Sequence, residues 1–259
     1  MSIERPSRRL FLTGAASAAG GLLLTGCDRL SQASGFRRVL YTGEDMTMLV
    51  QRALLSPSSM AKEFPASAIS ADFKANGSTD PDDATYRALA ANGFADWRLE
   101  VGGLVERPAA YSLADLRAMP SRSQITRHDC VEGWSCIGKW TGVQLASLLA
   151  KSGLRPKARY ILFTCADELE KTLDGSGRYY ETIDLEDAFH PQTILAYEMN
   201  EQPLPIAHGA PLRLRVERQL GYKMAKYVMR IDAIEEFASI GRGQGSFWAD
   251  RGYDWYAGI

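Results

Sequence analysis

At 259 residues, 46% hydrophobic and 24% charged, the chain can bury one substantial core and at most two modest ones. A formal charge of -1 and a pI near 6.3 leave no basic excess to follow a phosphate backbone or to hold an acidic membrane surface. Nucleic acid is therefore excluded as an expected partner.

The first informative stretch is Ser7-Arg8-Arg9-Leu10-Phe11-Leu12, followed by a small-residue and apolar run from Gly14 to Thr25. Paired arginines before a short, weakly hydrophobic segment read as a twin-arginine (Tat) export signal, with an ordinary basic secretion signal as the alternative. The run is broken by Gly20 and Gly21 and is too short for a comfortable membrane span. Leu24-Thr25-Gly26-Cys27 resembles a lipobox, in which Cys27 becomes the lipidated first residue and anchors the protein; a plain periplasmic product is the other outcome. Residues 1–27 are thus set apart as a signal, 28–63 as a tether and approach segment, and 64–259 as the functional domain.

Within the tether a helix is expected from Glu44 to Leu55, ended by Ser56-Pro57. Phe64 to Asp83, rich in Pro, Ser, Asp and Gly, has no periodicity and reads as a loop, so the globular pattern is expected to begin near Phe94. Trp97 to Val101 alternates as a half-buried strand turned by Gly102-Gly103, and Ser112 to Leu116 opens a short helix with a capping-box pair in Ser112 and Asp115. Ser121 to Cys130 runs extended. Thr141 is expected to cap a helix from Val143 to Lys151, whose Val143, Leu145, Leu148 and Leu149 make a core face closed by Gly153. Further strands are expected over Tyr160 to Phe163, Ile194 to Tyr197, Leu212 to Val216 and Tyr227 to Ile231, with one or two helical turns from Ile183 to Phe189. No strand-helix rhythm or repeat persists, which gives an α+β class with mixed sheets. The aromatic tail from Phe247 to Tyr256 is expected to clamp the domain surface.

The four cysteines, Cys27, Cys130, Cys136 and Cys165, match no structural zinc spacing. The densest reactive cluster is Arg127-His128-Asp129-Cys130-Val131-Glu132-Gly133-Trp134. Carboxylates on either side should raise the Cys130 pKa, which argues against a free nucleophile. A bound metal cation reverses that logic and deprotonates the thiol, so a soft metal ligand and a buried structural thiol both remain open for Cys130. A thiol-disulfide pair of Cys130 with Cys136 would lack the C-x-x-C spacing.

The 127–134 string, Lys139-Trp140-Thr141-Gly142-Val143, and Leu195-Ala196-Tyr197-Glu198-Met199-Asn200 with Pro203-Leu204-Pro205 resemble, in order, the molybdopterin domain of the sulfite oxidase family. His208-Gly209-Ala210-Pro211-Leu212-Arg213-Leu214 and Gly221-Tyr222-Lys223-Met224-Ala225-Lys226-Tyr227 continue the likeness. The resemblance implies that residues 64–259 form an oxidoreductase molybdopterin-binding domain in which Cys130 is the single protein ligand to molybdenum of a Mo-molybdopterin cofactor. It places Phe73, Asn76 and Gly77 along the pterin, His208 and Arg213 at cofactor-binding positions, and Lys223, Met224, Ala225 and Lys226 in the block that holds the terminal phosphate. Without the likeness, those basic residues would read as a solvated edge strand. Cys165 falls beside the metal centre, Tyr179 matches an active-site tyrosine, and Glu132 a carboxylate near the metal.

Ala75 stands where sulfite-oxidising members carry an arginine for the anion. The implied reaction is oxygen-atom transfer with two electrons, with reduction of sulfoxide-type small molecules preferred and a membrane haem protein or cytochrome as electron partner. The alternatives are a sulfite-oxidising enzyme of the same family and a non-catalytic periplasmic lipoprotein on this fold. No haem or C-terminal dimerisation domain is expected.

Overall fold

The computed structural model describes residues 33–173 and 175–259, so the expected export signal and lipobox lie outside the described residues. Contacts divide the chain into two units, residues 1–54 and 55–259. Of the first, the described part is dominated by helix α1 (Ser34–Leu54), ten residues longer at its start than the sequence pattern suggested. It carries Val39, Met46, Leu49 and Val50 exposed. No helix among the described residues is long and apolar enough to cross a membrane.

The second unit is built on two five-stranded sheets. One runs β2-β1-β10-β5-β6, from β1 (Leu99–Gly103), β2 (Ala109–Tyr111), β5 (Tyr160–Glu168), β6 (Arg178–Asp184) and β10 (Val228–Ile234). The other runs β3-β4-β7-β8, from β3 (Ser121–Asp129), β4 (Ser135–Gln144), β7 (Ile194–Met199) and β8 (Gln202–Pro203), with β9 (Arg213–Arg215) paired to β7. The β1–β10 pair is parallel and the other ladders are antiparallel, so the sheet is mixed as expected. Helix α2 (Ala84–Ala91) precedes β1, and short helices α3 (Leu113–Arg117), α4 (Leu145–Ser152) and α5 (Leu185–Ala188) connect later strands. One apolar core draws on both sheets, with Leu99, Phe163 and Ile231 from the first and Val143, Leu195 and Leu214 from the second. Burying each such side chain contributes roughly 1.5–3 kcal/mol, which is what holds the layers together.

Local chemistry set some boundaries where the pattern placed them. In α3, Ser112 accepts from the Asp115 N–H while Asp115 accepts from that of Ser112, the full capping box. Other boundaries moved. The helix expected from Val143 begins at Leu145, because β4 continues through Thr141 and Val143 to Gln144; Thr141 bonds Ser123 across the strand at 2.7 Å instead of capping a helix. Val143 points into the same core that the following helix covers, which mimics helical spacing across the junction. Gly103, expected in a turn, ends β1 at φ +72° with the Ala233 backbone of β10 so close that a Cβ would lie 2.3 Å from its carbonyl oxygen. Strand β6 and helix α2 were not anticipated; Ile183 belongs to the strand, and α2 is started by Asp83, whose carboxylate accepts from the Tyr86 N–H at 2.8 Å.

Candidate active site

The β3–β4 hairpin carries the cysteine to the surface of the core. Its strands pair from Ser121↔Val143 to Asp129↔Ser135. At the tip the Cys130 N–H donates to Trp134 O at 2.9 Å and the Gly133 N–H to Cys130 O at 3.0 Å, which fixes the half-buried Cys130 in a tight loop. Burial raises the thiol above its ordinary pKa and the Glu132 carboxylate adds to this, while the backbone N–H groups of Glu132 and Val131 favour the thiolate. The expected effect of two flanking carboxylates is thus corrected: Asp129 is engaged by Arg127 at 2.9 Å and by the Ser135 hydroxyl. A thiol held by backbone donors but raised by burial needs a cation to be deprotonated.

Cys130 opens on a pocket of about 110 Å³. Its walls come from six places in the chain: Asn76, Gly77 and Ser78; Val131 and Glu132; Asp167 and Leu169; Tyr179; Gly221, Tyr222, Met224 and Lys226; and Trp248 and Tyr253. Behind it lies a buried cationic cluster. Arg213, fully buried, donates to His208 O at 3.1 Å and Asn76 Oδ1 at 3.4 Å, and rests 5.0 Å from the Trp140 ring. Lys226 donates to Asn76 O at 2.6 Å, Ala207 O at 3.1 Å and Ser78 O, which occupies its three N–H groups. Among the described residues no carboxylate forms an ion pair with either, and Glu217 nearby is bound to Arg215. Burial and Arg215 push the Arg213 pKa down, burial and Arg213 push Lys226 down to about 7, and burial with the same two cations holds His208 at about 4. Leaving such charges buried without a counter-ion costs several kcal/mol per ion.

Four buried polar atoms around this cluster have no hydrogen-bond partner: Arg213 Nε, His208 Nδ1, His128 Nε2 and Asp167 Oδ1. His128 accepts from Arg215 at 3.0 Å through Nδ1, which leaves Nε2 as the carrier of its proton. Unsatisfied donors beside unpaired cations call for an anionic group, and the buried Asp167 carboxylate, raised to about 7 by burial, calls for N–H donors. A molybdopterin, anionic at its phosphate and rich in N–H groups at its pterin, fits both demands. Among the described residues no group of three or more His, Cys, Asp or Glu could hold a metal by itself.

Of the residues singled out in the sequence, Asn76, Gly77, Cys130, Glu132, Tyr179, Met224 and Lys226 border the pocket. His208 and Arg213 stand behind it, and Phe73 packs edge-on to Trp140 and His208 at 5.4 and 5.6 Å, so it supports the cluster from below. Ala225 is buried, its carbonyl accepting from the Leu214 N–H at 2.8 Å. Three placements differ from expectation. The Lys223 ammonium is buried against Glu181 and donates to Thr182 O at 3.0 Å, so its side chain faces the core and not the pocket. Cys165 is buried in the core on β5 and does not border the pocket. The Tyr179 hydroxyl is committed to Tyr222 O, with Glu181 at 3.3 Å. Sequence reasoning missed Asp167, Trp248 and Tyr253 in the walls and Gly221, where a Cβ would lie 2.3 Å from the His128 ring. An isolated acid or glycine carries no periodic signal. The closeness of Gly221 to His128 is a tertiary fact that only the fold reveals.

Residues 87–239 match the family model described as oxidoreductase molybdopterin binding domain. The chain belongs to this family. It is a molybdopterin-dependent oxidoreductase whose cofactor is Mo-molybdopterin, with the sulfite-oxidase type of domain expected from the sequence. It is 37% identical over 256 residues, 99% of this chain and 89% of the other, to the protein of Azospira oryzae named "Putative protein-methionine-sulfoxide reductase subunit YedZ1". It is also 35% identical over 164 residues to the protein-methionine-sulfoxide reductase catalytic subunit MsrP of Xanthomonas axonopodis pv. citri, covering 61% of this chain and 50% of that one. The chain thus spans about half the length of that MsrP. Among solved structures it is similar to the sulfane dehydrogenase SoxCD of Paracoccus pantotrophus at 24% identity and a TM-score of 0.48, over 54% of this chain and 39% of that one.

Proposed function

We propose that this enzyme reduces sulfoxides, methionine sulfoxide carried on other proteins among them, with Cys130 as the protein ligand to molybdenum. The observation that carries the reading is the charge of the pocket. Its mouth is bordered by the exposed Glu132 carboxylate and by aromatic rings, and among the described residues its one lining cation, Lys226, has every N–H turned to protein carbonyls. A sulfite dianion would meet the Glu132 carboxylate, to which the exposed Lys74 is already paired at 3.8 Å, whereas a neutral sulfoxide meets no such penalty. The half-buried Ala75, in place of an arginine, agrees with this. So do the sulfoxide reductase names of the relatives.

When bound, the molybdopterin centre supplies two-electron oxygen-atom transfer. The chain's part is to hold the cofactor through Arg213, His208, Asp167 and the 221–226 turn, and to present the Cys130 sulfur from a hairpin that backbone bonds keep rigid. Tyr179, its hydroxyl fixed on Tyr222 O, keeps the wall beside that hairpin in place. Export by the Tat route on Arg8-Arg9, residence in the periplasm, a lipid anchor at Cys27 and a membrane haem protein as electron donor complete the proposal; the word "subunit" in the relatives' names supports a partner. The test is turnover of the molybdenum-loaded enzyme with a reduced dye as electron source: free and peptide-borne methionine sulfoxide should be consumed, and sulfite oxidised far more slowly. Efficient sulfite oxidation with no sulfoxide turnover would overturn the reading.

A further inference from the structure

The aromatic tail was expected to be a clamp. It is one, but two of its rings do something packing does not require. The family match ends at residue 239, whereas Trp248 and Tyr253 lie beyond it and border the same pocket as Cys130, together with Leu169 and Tyr222. The rings form one continuous surface: Trp248 to Tyr253 at 5.1 Å between centroids, Tyr253 to Tyr222 at 5.2 Å, and Trp248 to the buried Phe247 at 5.3 Å. Phe247 is 1% exposed, but its neighbour Trp248 is half-buried and Tyr253 is 37% exposed. Large apolar groups kept open at a pocket, next to one that is closed in the core, mark a binding surface.

That surface is held stiffly. Arg251 lies 3.5 Å over the Phe247 ring, donates to Phe247 O at 2.9 Å and clasps the Glu170 carboxylate of the loop that carries Leu169. Asp250 accepts from the Tyr180 hydroxyl at 2.6 Å and from the N–H groups of Arg242 and Gln244 at 2.9 and 3.1 Å. The Tyr253 N–H returns to Trp248 O at 3.1 Å, and the Tyr222 hydroxyl donates to Asp254 O at 2.7 Å. A wall fixed from several directions loses little freedom when a ligand lies against it.

We propose that Trp248 and Tyr253 are specificity-determining residues that select a neutral, methyl-bearing sulfur oxide, so that the segment 246–255 is the substrate-reading element of the pocket. This rests on the sulfoxide reading above. Methyl groups beside an S=O bond are electron-poor and settle on electron-rich indole and phenol rings, and the polarisable sulfur adds a contact of its own. The negative ring faces repel an oxyanion, in the same sense as Glu132. Leu169 supplies the aliphatic side of the wall.

The test uses the full-length, molybdenum-loaded enzyme with Trp248→Ala, Tyr253→Ala and the conservative Trp248→Phe, and N-acetylmethionine sulfoxide amide as substrate. Either alanine variant should raise KM about tenfold with kcat and molybdenum content little changed, and Trp248→Phe should restore most of the loss. A second readout needs no turnover: titrating wild type with the thioether product should quench tryptophan emission, and Trp248→Phe should remove most of that change while still binding. An unchanged KM in both alanine variants at wild-type molybdenum content would overturn the proposal, as would an absence of quenching in wild type. If loaded wild type turns over no sulfoxide yet its emission is quenched by the thioether, the sulfoxide-reductase reading fails and the wall assignment survives.

Discussion

The two sides of the pocket are built on opposite electrostatic plans. The floor, with Arg213, Lys226 and the neutral His208 beside them, is basic, its two cations are buried, and Arg213 Nε and His208 Nδ1 lack partners. The mouth, with Glu132, Trp248 and Tyr253, is acidic, aromatic and open. A single ligand class could not satisfy both, and the contrast supports the proposal that the site receives two: an anionic cofactor held from behind and an uncharged substrate admitted in front. Each side can be perturbed alone, and the responses should differ.

The largest effect is expected on the floor. Arg213→Met removes a buried, unpaired charge, so it should cut cofactor retention by tenfold or more while leaving the melting temperature of the cofactor-free protein unchanged or raised, since replacing a buried charge by an apolar side chain is often neutral or stabilising. Melting curves and molybdenum content measured on the same preparations decide this. Lower stability of the cofactor-free variant would mean that Arg213 is already satisfied by the protein.

Next in size is a pH effect in the cofactor-free protein. Burial lowers Lys226 and raises Asp167, each to about 7. Below that value Lys226 is protonated and Asp167 neutral; above it Lys226 loses its proton and Asp167 gains a negative charge. Sulfate, a dianion throughout, should therefore bind several-fold more tightly at about pH 6 than at about pH 8, measured by calorimetry. Binding that is flat or strengthens with pH would contradict the cationic floor. The smallest effect belongs to the mouth: Glu132→Gln removes one exposed carboxylate and should weaken the exclusion of sulfite only a few-fold, because an exposed charge is screened. The sulfite inhibition constant of the loaded enzyme checks it.

The floor was far more legible in the sequence than the mouth. Ordered blocks around Cys130, His208 and Arg213 point to the cofactor through family likeness, and strands such as β3 and β7 follow from their apolar runs. Strand β6 did not, because its buried positions include Glu181 and Thr182, polar residues made tolerable by distant partners: Lys223 for Glu181, and for Thr182 the Trp255 indole and the Gly245 carbonyl, which accepts from Thr182 at 2.6 Å. The partnership with Glu181 turns the Lys223 side chain toward the core. Trp248 and Tyr253 looked like surface clamps since nothing local shows which pocket a tail will reach. Asp167 follows an apolar run at the end of β5, where one acid commonly marks solvent, and its burial is visible only once the 76–78 loop and Lys226 are in place.

The most direct test of the central claim is X-ray absorption at the molybdenum edge on fully matured enzyme, wild type against Cys130→Ser. The account predicts near-stoichiometric molybdenum in wild type and the loss of one sulfur neighbour from the metal in the variant, with activity lowered at least about a hundredfold. An unchanged sulfur count in the variant, or wild-type protein matured with its cofactor machinery yet free of molybdenum, would contradict it.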